Sequence, residues 1–397
     1  MTHFKYLIVG AGMTADSAVK GIRELDSQGS IALIGDDPNP PYDRPPLSKG
    51  LWKGKPLDSI WRKKDEHATE LFLGRTVTSI DPKMKQVHDD QHESYTYDKL
   101  LLATGGTPSK LPFGRDNIIY YRTLADYQHL REMCGQGKHF GVIGGGFIGS
   151  EIAAALAMNG EKVTLMFPEK SIGARVYPPE LSQYLNDFFR GKGVELLAGL
   201  NVKDLQKNKD SYLLITDKRQ PVAVDVVIAG IGIKPNIDLA KSAGLKTGNG
   251  IVVDEMLRTD NPDIFAAGDV AAYNQPVLGK RVRVEHEDNS NTMGKQAGRN
   301  MAGAGEPYQH LSYFYSDLFE LGYEAVGELD PRLEIFADWE EPFKKGVIYY
   351  LAEGRVRGVL LWNVWDTVPA ARALMAEPGP FKAADLKNRL LVPEPSR

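Results

Sequence analysis

The 397-residue chain has one cysteine, Cys134. That count excludes any disulfide within it, whether a structural staple or a redox pair. Positive charge is not in excess: 48 Lys and Arg stand against 52 Asp and Glu, a formal net charge of −4. A general nucleic-acid binder needs cations to neutralise phosphates, so none is expected. No apolar run reaches the roughly 18 residues that a membrane-spanning helix requires. Met1 to Tyr6 run straight into a strand pattern, so no signal or transit peptide is expected and the protein reads as cytoplasmic. What remains is ordinary for a globular chain, 42% hydrophobic and 25% charged, long enough for two or three domains.

The most informative stretch is Val142-Ile-Gly-Gly-Gly-Phe-Ile-Gly-Ser-Glu151. An apolar strand ends in Gly-x-Gly-x-x-Gly, and Ile148, Ile152 and Leu156 then recur at helical spacing. Gly144 permits the tight turn, Gly146 lets a pyrophosphate approach the backbone, and Gly149 lets strand and helix pack closely. The helix start offers unpaired N–H groups and the positive end of a dipole to phosphates. A second strand, Lys162 to Phe167, leads to Glu169, about the ~20 residues on where a ribose-binding carboxylate belongs. The pattern occurs a second time at the front of the chain. Tyr6 to Val9 lead into Gly10-Ala-Gly-Met-Thr-Ala15, a helix over Asp16 to Leu25 follows, and the strand Ile31 to Ile34 ends beside Asp36, with Asp37 as its rival.

Between and after these units lie other marked segments. Pro41-Tyr-Asp-Arg-Pro-Pro-Leu-Ser-Lys49 is too proline-rich for helix or sheet and holds Arg44 and Lys49 on a stiff loop. Composition alone would make it a solvated surface loop. Leu100 to Ala103 end in Thr104-Gly105-Gly106, and Val222 to Ala229 run as one strand into Gly230-Ile-Gly232, two matching exits. In Ala267-Gly268-Asp269, the acid suits a contact to a flavin's ribityl chain and phosphate, a helix N-cap, or both. The helix Asn291 to Ala302 follows. From Tyr313 onward short strands with alternating aromatics mark a separate α+β region, closed by a helix over Pro369 to Met375. Cys134 falls at a helix end beside Gly135 and reads as a passive thiol.

With these motifs in order along the chain, the sequence resembles the FAD-containing, NAD(P)H-dependent ferredoxin and rubredoxin reductase and apoptosis-inducing factor family, and its apoptosis-inducing-factor branch most. The resemblance rests also on Ala103-Thr-Gly-Gly-Thr-Pro108, Met166-Phe-Pro-Glu-Lys170, Arg283-Val-Glu-His286, Tyr315-Ser-Asp-Leu318, Gly322-Tyr-Glu-Ala-Val-Gly327 and Val359-Leu-Leu-Trp-Asn363. It implies an α/β fold of two Rossmann-type dinucleotide-binding domains, glutathione-reductase-like, with the NAD domain inserted in the FAD domain and a C-terminal α+β domain behind. The expected division is 1–110 and 236–312 for FAD, 111–235 for NAD, and 313–397 for the last domain.

By the same resemblance, FAD is expected against Gly10, Gly12, Met13, Thr14, Asp36, Arg44, Lys49, Val77, Ala103, Thr104, Gly105, Arg122, Asp269 and Tyr315. NAD is expected along Gly144, Gly146, Phe147, Ile148, Glu151, Glu169 and Gly232, with Glu285 and His286 on that path where it meets the flavin. The catalytic candidates are Lys49, Glu151 and Tyr315. Glu151 stands in the first turn of its helix, where a carboxylate gains from the dipole, and Lys49 is expected to bridge it. That Glu151 is only a favourable first-turn acid stays open.

Hydride from NADH would pass to FAD and its electrons to an acceptor, such as a ferredoxin-type iron–sulfur protein. The alternative is a slow, NADH-responsive interaction protein with a stable reduced flavin–NAD complex; on either reading the chain is expected to be a monomer or homodimer. Two departures from the family stand out. Tyr315 occupies the place of a Trp. Relative to apoptosis-inducing factor the chain also lacks basic charge, a leader and a long C-terminal insertion, so a death-signalling or DNA-condensing role is not expected.

Overall fold

The structure is a computed structural model in which residues 2–62, 69–218 and 220–391 are described. The chain forms two compact units: Met1–Arg44, Leu57–Thr107 and Lys234–Ser312 make the first, and Pro45–Pro56, Pro108–Ile233 and Tyr313–Arg397 the second.

The first unit is built on a seven-stranded sheet. Thr2–Val9 lies at its middle, parallel to Ile31–Gly35 on one side and Ser94–Leu102 on the other. Thr69–Leu73 and Ile264–Ala266 extend the parallel part, and Gln86–Asp89 and Val77–Asp81 add an antiparallel margin. Every residue of Ile31–Gly35 is buried. A parallel strand covered on both faces must be apolar throughout, which is why these strands read as unbroken hydrophobic runs rather than alternating ones.

Against this sheet lies the helix Met13–Arg23, which buries Ala15, Ala18, Val19 and Ile22, an i, i+3, i+4, i+7 stripe. It ends two residues before Leu25, which is exposed. The later helix spans Glu287–Met301, a turn earlier than the apolar pattern indicates, because its first turn is polar and carries Glu287 and Asp288. The two helices cross on glycines. A Cβ on Gly21 would fall 2.0 Å from the Lys295 carbonyl oxygen, and one on Gly298 2.0 Å from that of Ala18.

In the second unit a five-stranded parallel sheet runs in the order Glu195–Ala198, Lys162–Phe167, His139–Ile143, Val226–Ala229, Ile119–Tyr120. The expected single strand from Val222 to Ala229 is two. Val222–Val224 pairs instead in a three-stranded antiparallel sheet with Ser211–Thr216 and Val202–Asn208. The break is at Asp225, whose carboxylate accepts the His139 backbone N–H at 2.8 Å while its own N–H donates to the His139 carbonyl. Polar residues such as Lys207 and Asn208 hid this small sheet from a reading by hydrophobicity.

The C-terminal sheet has the order Tyr313–Leu318, Leu321–Gly327, Arg355–Trp362, Lys345–Ala352, Glu334–Glu341, all antiparallel. The helix Val368–Ala376 closes it, one residue longer at each end than the sequence indicates. Cys134 lies just past the helix Leu124–Glu132 rather than in it, and burial pushes its thiol up to about 11, so it stays protonated.

The helix crossing gives a direct test. Gly298→Ala forces a methyl against backbone and should cost about 1–3 kcal/mol. Gly191→Ala, at the end of the helix Pro179–Gly191 where a Cβ meets nothing, should be neutral or stabilising by up to about 1 kcal/mol. Thermal unfolding of both variants checks this; equal shifts would mean the helices do not meet at Gly298.

Candidate active site

The first unit contains a cradle at the start of the helix Met13–Arg23. Gly10 has φ +115°, and a Cβ there would stand 2.2 Å from the Ala103 carbonyl oxygen, so only glycine makes this turn. Gly12 is the N-cap. It offers no capping side chain, and a Cβ on it would meet nothing within 4 Å. The first-turn N–H groups are thus left without a cap and with room for a phosphate, which is what a pyrophosphate needs. Thr14, buried in that turn, packs on Gly268 of the Ala-Gly-Asp segment: a Cβ on Gly268 would lie 2.3 Å from its hydroxyl oxygen. Asp269 lies inside a short 3-10 turn whose N-cap is Ala267, which sets aside the N-cap reading of Asp269 itself. Its carboxylate accepts from the Ser290 hydroxyl at 3.3 Å, and its carbonyl from Arg283 at 2.9 Å.

At the end of Ile31–Gly35 the two rival acids separate. Asp37 accepts from the Tyr42 hydroxyl at 2.8 Å and from Asn39, so it holds its own loop. Asp36 is exposed, with no side-chain partner among the described residues, and remains available to a ribose. Arg44 lies over the Tyr42 ring at 5.9 Å, and Val77 packs on the core of the unit. Thr104 and Gly105 are zipped to Asn236: its side-chain amide donates to the Thr104 carbonyl, the Thr104 hydroxyl donates to its carbonyl, and its backbone N–H reaches Gly105. Glu285 pairs with Arg283 at 2.6 Å. His286 is the N-cap of the helix Glu287–Met301, and desolvation pushes its imidazole down to about 4, leaving it neutral at physiological pH.

Sequence reasoning missed Arg62. Its guanidinium donates to Asp43 (2.7 Å), Asp16 (3.0 Å), the Met13 carbonyl (2.9 Å) and Asn291 (2.6 Å), tying both helices and the proline-rich loop. It belongs to no motif, and only the fold gathers its partners.

The second unit repeats the cradle. Gly144 has φ +118°, and a Cβ on it would meet the Gly230 carbonyl oxygen at 2.4 Å; one on Gly149 would stand 1.9 Å from the Gly144 oxygen. Gly146 caps the helix Phe147–Met158 with no side chain and with open space around it. Phe147 packs on Phe314, ring centroids 5.6 Å apart, and Ile148 is exposed. Gly232 has φ +92°, and its carbonyl accepts from Ser109. Glu169, beyond Lys162–Phe167, pairs at 2.5 Å with an Arg175 that is itself 83% exposed. The Arg122 N–H donates to Asp126, which closes the capping box of the helix Leu124–Glu132.

The catalytic candidates come together here. Glu151 is 2% exposed in its side chain. Its Oε2 accepts from Lys49 Nζ at 2.7 Å and from the Ser48 hydroxyl at 2.6 Å, and its Oε1 from the Ser316 hydroxyl at 2.6 Å. Lys49 Nζ stands 5.3 Å from the centre of the Tyr315 ring. Residues 45–56 are held in this unit by further bonds. Trp52 and Tyr121 both donate to the Leu47 carbonyl, Asn159 donates to that of Trp52, and Arg131 lies over the Trp52 ring at 4.9 Å. Neither Ser48 nor Ser316 stood out in the sequence, since isolated serines carry no periodicity. The signal was their adjacency to Lys49 and Tyr315.

Two glycine-cradled dinucleotide sites and a buried Lys–Glu pair define an FAD-dependent oxidoreductase of nicotinamide nucleotides. The chain belongs to the pyridine nucleotide-disulphide oxidoreductase family, whose model matches residues 4–294. Residues 297–342 and 336–377 match the C-terminal domain of mitochondrion-associated apoptosis-inducing factor. Apoptosis-inducing factor 1 of Dictyostelium discoideum is 34% identical over 94% of this chain and 78% of its own length. The ferredoxin–NAD(+) reductase component of the anthranilate 1,2-dioxygenase system of Burkholderia cepacia is 31% identical over 96% and 97%. A crystal structure of a covalent putidaredoxin reductase–putidaredoxin complex superposes with a TM-score of 0.88 at 29% identity, covering 94% of each chain. The cofactors are FAD and NAD(H), and the chain is an NAD(P)H-dependent FAD oxidoreductase. Among the described residues no helix is long and apolar enough to cross a membrane.

With Glu169 as the expected ribose carboxylate, NADH should be preferred over NADPH, whose 2′-phosphate it repels. Arg175 offsets that charge only weakly, being exposed. Arg175→Ala should therefore widen the preference by roughly threefold, the scale of an exposed ion pair, and Glu169→Ala should narrow it. The ratio of kcat/KM for the two nucleotides measures this, and a wild-type preference for NADPH would reject the assignment.

Proposed function

We propose that this chain carries electrons from NADH through FAD to a ferredoxin-type iron–sulfur protein. The observation that carries the reading is the buried pair Lys49–Glu151. Glu151 stands in the second turn of the helix Phe147–Met158, whose first turn holds no acid, which corrects the expected first-turn placement. Lys49 and the serines, not the helix start, answer its charge. It is supported by relatives that are ferredoxin–NAD(+) reductase components and by the likeness to a reductase solved with its putidaredoxin. The division into an FAD domain (1–110, 236–312), an NAD domain (111–235) and a C-terminal domain (313–397) belongs to this proposal.

Bound FAD supplies the chemistry, accepting a hydride from the nicotinamide and giving the electrons up again. The protein binds and aligns. The turns at Gly10 and Gly144 and the uncapped helix starts at Gly12 and Gly146 receive the two pyrophosphates, while Asp36 and Glu169 receive the riboses. Lys49 presents an ammonium held in place by Glu151, a fixed positive charge that would stabilise negative charge developing on a bound flavin. Tyr315 presents its ring to that ammonium. With Cys134 alone and protonated, the chain has no cysteine pair to store electrons.

The likeness to apoptosis-inducing factor over the C-terminal sheet favours a second reading, a slow NADH-responsive protein. Anaerobic reduction of the FAD-loaded protein with NADH, followed by a ferredoxin, separates the two. Reoxidation in seconds with catalytic turnover is expected. A reduced complex that persists for minutes and ignores every iron–sulfur acceptor would reject electron delivery and support the second reading.

Tyr315→Ala should remove about 1 kcal/mol of aromatic stacking on the bound nicotinamide and weaken the long-wavelength band of the reduced complex. Tyr315→Trp should keep it. An anaerobic NADH titration with FAD content checked decides. If Tyr315→Ala keeps band and affinity and loses only thermal stability, the ring is core.

A further inference from the structure

We infer that Ser316 and Ser48 are the positioning residues of the reacting pair, and that Ser316 in particular holds the Glu151 carboxylate in one orientation, aimed at Lys49. This rests on the reading of Lys49–Glu151 as the working pair. An ionised carboxylate with almost no contact with water must have its lone pairs filled by donors. Oε2 has two, Lys49 and Ser48, whereas Oε1 has Ser316. Lys49 alone could pull the carboxyl group into more than one orientation. The Ser316 hydroxyl, fixed on the strand Tyr313–Leu318 and 1% exposed, pins the opposite oxygen and leaves one.

The donors come from separate segments, the loop 45–56 and the C-terminal sheet, so the pair is assembled by the fold and not by its own helix. A serine in either place can donate its one hydroxyl hydrogen to the carboxylate, and a hydrogen bond to the charged form favours that form.

The test uses the FAD-loaded full chain. Ser316→Ala should slow NADH-driven bleaching at saturating NADH by roughly tenfold, the scale of one lost hydrogen bond to a charged group, while leaving the NADH dissociation constant near wild type. Ser316→Thr, which keeps the hydroxyl, should restore the rate, and Ser48→Ala should slow it in the same way. Bleaching as fast as wild type in both alanine variants overturns the inference, whatever their thermal stability, and so does a rate that falls only together with NADH affinity. Should the wild-type protein itself fail to bleach with NADH, the proposed function fails, a result distinct from wild-type bleaching that the serine variants share.

Discussion

The buried carboxylate of Glu151 is the constraint on which the second unit turns. A charge removed from water in this way is stable only when every side of it is answered. Breaking such a site by deleting one partner costs several kcal/mol, because a naked charge stays behind. Here the answers are distributed over the chain: Ser48 and Lys49 from the loop and Ser316 from the C-terminal sheet. That distribution explains why the loop 45–56 belongs with the second unit although the chain on both sides of it belongs to the first. The loop is nailed down at Leu47 and Trp52, and the ion pair is the reason its end must be in register.

The two cradles show the complementary strategy. At Gly12 and Gly146 the fold withholds what it supplies at Glu151. Neither helix start has a capping side chain, and a methyl on either glycine would meet only space. An uncapped helix start leaves N–H groups unsatisfied, a cost that a bound phosphate removes. The helix Leu124–Glu132 carries instead a full capping box from Thr123 and Asp126.

Much of this was legible in the sequence, for a physical reason. Glycines that the backbone cannot replace, and parallel strands that must be apolar throughout, leave patterns at fixed spacing. Gly144, Gly149 and Tyr6 to Val9 are of that kind, and the pairing of Lys49 with Glu151, 102 residues apart, followed from the motifs that carry them. What was not legible depends on contacts the fold alone creates. Arg62 gathers partners from three segments without belonging to any pattern, and the three-stranded sheet around Ser211–Thr216 includes a mostly polar strand, Val202–Asn208, that shows neither period strongly. The split at Asp225 was hidden because one residue between two apolar runs is a small interruption in sequence and a change of sheet in space.

The loop that ends in Ser48 and Lys49 also bears on where electrons can go. The family takes its name from a disulphide, yet the chain has a single cysteine and that thiol is held protonated by burial. A dithiol stores an electron pair in a covalent bond and needs two sulfurs within bonding distance. A serine hydroxyl and an ammonium can store none; they can only fix charge and orient a carboxylate. Reducing equivalents therefore have no resting place in the polypeptide and must leave the flavin for a separate acceptor. The hydroxyls nearest that pair, Ser48 and Ser316, accordingly donate to the counter-ion of Lys49 and form no redox chain.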